Sequence, residues 1–190
     1  MDKKHIITIT GKPGTGKSST AKALSERLGY ERYSSGDFMR QLALERGRDI
    51  AQNSAITMND RTLDDIVDSR QREFGETKDN FVMDGRMGWF VIPYSFKVYL
   101  KTDPRVSAER VLNGEKNPQR QATENIGHTI DEYMENVAAR MRSDEDRYLK
   151  FYGVTPFDEK HYDLVIDNTS MGFDQVVDMI IEVYQKWLET

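Results

Sequence analysis

Residues 6–24 read Ile6-Ile7-Thr8-Ile9-Thr10-Gly11-Lys12-Pro13-Gly14-Thr15-Gly16-Lys17-Ser18-Ser19-Thr20-Ala21-Lys22-Ala23-Leu24. The first five are β-branched, the last six suit a helix, and between them Gly11 to Ser18 matches G-x-x-x-x-G-K-[ST]. Strand, glycine loop and helix in that order is the context in which this pattern binds phosphate. Glycines let successive backbone N–H groups approach phosphate oxygens without Cβ interference, and the start of the following helix adds partial positive charge. Gly11, Gly14, Thr15, Gly16 and Ser19 are therefore expected around the phosphates of ATP. Lys17 is expected to bridge the β- and γ-phosphates, and the Ser18 hydroxyl to ligate Mg²⁺.

Four more short apolar runs follow: Tyr30-Ser34, Phe81-Asp84, Phe96-Leu100 and Leu164-Asn168. Segments of helical period separate them. Alternation of this kind predicts an α/β chain of the P-loop NTPase fold, a five-stranded parallel sheet with helices on both faces. Leu63, Ile66, Val67 and Phe74 form one expected apolar helical stripe, and Phe173, Val176, Val177, Ile180, Tyr184 and Trp187 another. Residues 35–79 hold two helical stretches and no strand signal, more than a simple crossover needs, and read as an inserted helical lobe. Asn113 to Arg120 carries turn residues and charge without an apolar stripe and reads as a flap, part of a lid region over 113–147. A single domain over 1–190 is expected.

With 190 residues, 27 Lys plus Arg against 32 Asp plus Glu, and a net charge of −5, the chain has no general field for a polyanion. Nucleic-acid binding is disfavoured. The absence of cysteine excludes disulfides, thiolate nucleophiles and Cys-ligated zinc. The apolar run at the start is too short for a signal peptide and no segment approaches the roughly 20 apolar residues of a membrane-spanning helix. A cytoplasmic chain with no membrane partner is expected.

Met83-Asp84-Gly85-Arg86 ends the third run, where the carboxyl edge of a parallel sheet opens to ligands. Asp84 is placed to hold Mg²⁺ through water; an ordinary Asp-Gly turn is the alternative. Ser35 or Asp37 is the expected N-cap of the next helix, and Arg40 is expected one turn into it, near the same edge. Arg70 interrupts its apolar stripe, where a guanidinium calls for an anion, either a ligand or Asp64 or Asp68. Ile130 to Tyr152 reads as one long helix. Arg140 and Arg147, seven apart, share a face, whereas Arg142 points away. The alternative for that pair is a solvated face in which Arg140, Asp144 and Arg147 bridge one another.

Taken together, the phosphate loop, Ser35-Gly36-Asp37-x-x-Arg40, Arg70-Gln71-Arg72-x-Phe74, Asp84-Gly85-Arg86, Arg140-x-x-Ser143-Asp144-x-x-Arg147-Tyr148 and Tyr162-Asp163-Leu164-Val165-Ile166-Asp167 resemble the nucleoside monophosphate kinases. Within them the likeness is to the cytidylate kinases of the short archaeal type. The resemblance implies ATP-dependent phosphorylation of CMP or dCMP, with Mg²⁺, by a monomer. Ser35, Asp37, Arg40, Arg70, Asp84 and Arg86 would hold the acceptor. Lys17, Arg140 and Arg147 would be catalytic, while Arg110 and Asn168 would border the adenine of ATP. Met87 stands where many bacterial cytidylate kinases have Asp, and the acceptor lobe is short. A UMP or AMP kinase, a hydroxyl-directed small-molecule kinase and a nucleotide-binding regulator are the alternative readings.

Overall fold

The five short runs do form strands in the computed structural model, which describes residues 3–45, 61–114 and 126–190. They are β1 (Ile6–Gly11), β2 (Glu31–Ser34), β3 (Phe81–Asp84), β4 (Phe96–Lys101) and β5 (Leu164–Asp167). All pair in parallel, in the order β2-β3-β1-β4-β5. The helices are α1 (Lys17–Leu28), α2 (Ser35–Glu45), α3 (Thr62–Thr77), α4 (Gly88–Val91), α5 (Pro104–Asn113), α6 (Ile130–Tyr152) and α7 (Phe173–Glu189). A single 3₁₀ turn covers Glu159–His161.

Strand alternation sorts side chains to two faces. Ile7 and Ile9 of β1 join Val82, Val98 and Leu100 in a core closed by Ala21 and Leu24 of α1 and by Val177 and Ile180 of α7. Thr8, between those isoleucines, faces the other way: a Cβ added to Gly88 at the start of α4 would lie 3.2 Å from its Cγ2. The sheet is therefore covered on both sides, as strands of this composition require. Local signals set several ends. Asp103 accepts from the backbone N–H groups of Arg105 and Val106 ahead of Pro104, and Thr129 forms a capping box with Glu132 that starts α6.

The chain divides into two compact units, one of residues 1–35, 68–102 and 157–190, the other of residues 36–67 and 103–156. The first contains the whole sheet with α1, α4 and α7; the second contains α5, α6 and nearly all of α2. The second unit also holds most of what the sequence assigns to an acceptor lobe and a lid. Residues 46–60 of that lobe, and 115–125 of the lid region, which include most of the flap, lie outside the described residues.

One expectation needs correcting. The buried face of α3 is not the stripe Leu63-Ile66-Val67-Phe74, because Ile66 is 37% exposed while Asp64, Asp68 and Gln71 are buried with Leu63 and Val67. Arg70 accordingly lies on the exposed side, its guanidinium 5.5 Å from the Phe74 ring centroid. Three polar residues on the inner face disguise the period, and buried polar groups of this kind demand partners.

Candidate active site

Gly16, with φ of 88°, turns the chain left-handed where the glycine loop enters α1, a conformation that costs little only without a Cβ. The loop is closed on itself: Thr15 donates from its hydroxyl to the Lys12 carbonyl at 2.9 Å, and Lys17 Nζ donates to the same carbonyl at 2.9 Å. The lysine ammonium thus rests at the loop it is expected to serve.

β3 delivers Asp84 beside that loop, because Ile9 of β1 and Ser34 of β2 are its lateral neighbours in the ladder. Asp84 is 3% exposed and is a hub. Its Oδ2 accepts from Ser18 Oγ at 2.9 Å and from Ser34 Oγ at 3.1 Å, and its Oδ1 accepts from Arg32 at 2.9 Å. The next residue, Gly85, leaves room for Ser35, since a Cβ there would lie 2.1 Å from Ser35 Oγ. Ser35 Oγ in turn donates to the Asp84 carbonyl at 3.2 Å. Thr10, at the end of β1, donates to the Gly85 carbonyl at 3.1 Å. Arg86 follows, half-buried, before α4 begins.

The donor chemistry suits a hard divalent cation: an exposed hydroxyl oxygen on Ser18, joined to a carboxylate. Asp84 already holds Arg32, so the arrangement fits a metal bound directly by Ser18 and through water by Asp84. Among the described residues no group of three or more His, Cys, Asp or Glu offers another cation site.

In the second unit, Arg40 pairs with Asp37 within α2. On α6, Arg142 is exposed and Arg140 half-buried, as the helical spacing predicts. Arg147 is 2% exposed and sits between two carboxylates, 3.2 Å from Asp64 of α3 and 3.0 Å from Asp144. Burial pushes the Asp64 carboxyl above its ordinary value, partly offset by Arg147. Burial also opposes the charge on Arg147, but Tyr148, Asp144 and Asp64 outweigh it and hold the guanidinium charged. Arg110 is exposed in the last turn of α5.

In the first unit, Asn168 lies just past β5, its side-chain amide donating to the Thr15 carbonyl at 2.9 Å. Two of these contacts escape sequence reasoning. Arg32 meets Asp84 across 52 positions, and Asn168 meets Thr15 across 153; strand order alone brings each pair together.

The family model described as "AAA domain" matches residues 7–143. A curated cytidylate kinase of Methanocella arvoryzae is 33% identical over 177 residues, covering 93% of this chain and 95% of that one. A second, from Archaeoglobus fulgidus, is 31% identical over 180 residues, covering 94% of each. Among solved structures, shikimate kinase of Bacteroides thetaiotaomicron superposes with a TM-score of 0.62 at 16% identity, over 97% of this chain and 98% of that one, a likeness of fold.

Proposed function

The chain belongs to the cytidylate kinase family, and on that premise we propose that it transfers the γ-phosphoryl group of ATP to CMP or dCMP, giving ADP and CDP or dCDP. The observation that carries this reading is the coupling of the phosphate loop to the Asp84-Gly85-Arg86 turn. Ser18 of the loop donates to Asp84, and Ser35 packs on Gly85, so a donor-phosphate loop and an acceptor motif leave adjacent parallel strands.

The attacking group is a phosphate oxygen of the monophosphate, already largely anionic at neutral pH because its second pKa is about 6. No side chain has to remove a proton. The chain's task is alignment and neutralisation of charge. Lys17 meets the β- and γ-phosphates; Arg140 meets the equatorial oxygens of the transferring group, and Arg147, enclosed by Asp64 and Asp144, would reach them only on leaving those carboxylates; Ser35, Asp37, Arg40, Arg70 and Arg86 hold the acceptor; Arg110 borders the adenine. Ser18 directly, and Asp84 through water, would hold Mg²⁺, which would supply further neutralisation of phosphate charge. A hydroxyl-directed kinase would instead need a carboxylate base. Its candidate, Asp37, is paired with Arg40, which favours the phosphate acceptor.

Phosphorus NMR of the protein with ATP, Mg²⁺ and CMP tests the reading. The expected result is two nucleoside diphosphates in equal amounts. ADP accompanied only by inorganic phosphate contradicts it.

A further inference from the structure

The phosphate loop is braced from the far edge of the sheet. Asn168 is 5% exposed and follows β5, where its backbone N–H donates to the Lys101 carbonyl at 2.9 Å. Its side-chain Nδ2 donates to the carbonyl of Thr15, and its Oδ1 accepts from the Thr102 hydroxyl. A carbonyl only accepts, so the Thr15 contact also fixes which way the amide is turned.

The peptide between Thr15 and Gly16 is planar and trans, so its C=O and N–H point in opposite directions. Holding the carbonyl therefore aims the N–H. Thr15 itself is 1% exposed and closes the loop through Lys12, so the 15–16 peptide leads directly into Gly16, the N-cap of α1. We propose that Asn168 is a positioning residue for phosphate binding: it draws the Thr15 carbonyl outward and so presents the Gly16 N–H to the nucleotide phosphates, with Thr102 holding Asn168 in turn. The proposal rests on the reading of Gly11–Ser18 as the phosphate site. It differs from a contact with adenine, the role that family resemblance suggests for Asn168, because a brace acts on ligands that have no base at all.

Calorimetry with inorganic tripolyphosphate and with ADP, at fixed Mg²⁺, separates the two. Asn168→Ala and Asn168→Asp each remove the donor, the second at nearly constant volume. Both are expected to weaken tripolyphosphate and ADP by the same factor, roughly tenfold or more, as for a buried carbonyl left without its donor. Thr102→Val is expected to lose part of that affinity and Thr102→Ser to retain it, which keeps the test open if a change at Asn168 prevents folding. Tripolyphosphate binding that is unchanged, whether or not ADP binding weakens, overturns the brace. A wild-type protein that binds neither ligand removes the phosphate-site premise, and the proposal with it.

Discussion

At the scale of the residue, charge is placed where a single substitution separates chemistry from stability. Lys17 rests on the Lys12 carbonyl, which is part of a loop shaped by glycines, so removing its ammonium leaves the fold with what it needs. Lys17→Ala is expected to lower kcat by roughly 10²-fold to 10³-fold or more, with an unchanged melting curve. A variant within tenfold of wild type contradicts the role given to the loop. Arg147 is the opposite case. Its removal strands Asp64 and Asp144 without their cation, and Arg147→Ala is expected to cost about 3–5 kcal/mol of stability in denaturant unfolding, besides any loss of turnover. The pH dependence follows from Asp64. Its folded-state pKa is raised, so the folded protein holds that proton more tightly than the unfolded chain, and stability falls as pH rises between the two values. Without Arg147 the folded value rises further. The deficit against wild type is therefore expected to be smallest near about pH 4, close to the ordinary carboxylate value, and to grow towards neutrality. A deficit that shrinks with rising pH contradicts this account of the cluster.

At the scale of the element, α6 sets one arginine apart from its neighbour two residues on. Arg140 is half-buried and Arg142 exposed. On the proposed reading the Arg140 charge would be used mainly in the transition state, so Arg140→Ala is expected to lower kcat by roughly 10²-fold or more with a smaller change in KM; Arg142→Ala is expected to stay near wild type. Steady-state kinetics of the two variants decide it, and an Arg142 variant that is the more damaged contradicts the assignment of faces. The limits of α6 were legible because Thr129, Glu132 and Gly153 carry standard start and stop chemistry. The strands were legible as short β-branched or apolar runs between helical segments, least clearly β2, which has no β-branched residue. The inner face of α3 was not, since Asp64, Asp68 and Gln71 occupy positions that a hydrophobic pattern reserves for apolar side chains. Nor were Arg32 on Asp84 and Asn168 on Thr15. Local periodicity says which residues form a strand but not which strands become neighbours, and those contacts exist only in the order β2-β3-β1-β4-β5.

At the scale of the whole molecule, the matched relatives extend along almost the entire chain, 93% of it for the Methanocella enzyme, so the family assignment covers the sheet unit and the second unit alike. Acceptor choice is a property of the whole fold. On the proposed reading Arg40 and Arg70 would bind the phosphate that every acceptor shares, so Arg40→Ala and Arg70→Ala are expected to raise KM for all acceptors by similar factors and to leave their ranking intact; KM values across the series check this. The ranking itself comes from the base, since a site that hydrogen-bonds one base edge rejects bases that leave its polar groups unpaired. The most direct measurement is kcat/KM for ADP release with CMP, dCMP, UMP, AMP and GMP under one set of conditions. The account predicts CMP and dCMP first, UMP weaker, and AMP and GMP poorer still. AMP as the best acceptor contradicts the pyrimidine assignment, and ADP release that none of the five stimulates contradicts phosphoryl transfer to a monophosphate altogether.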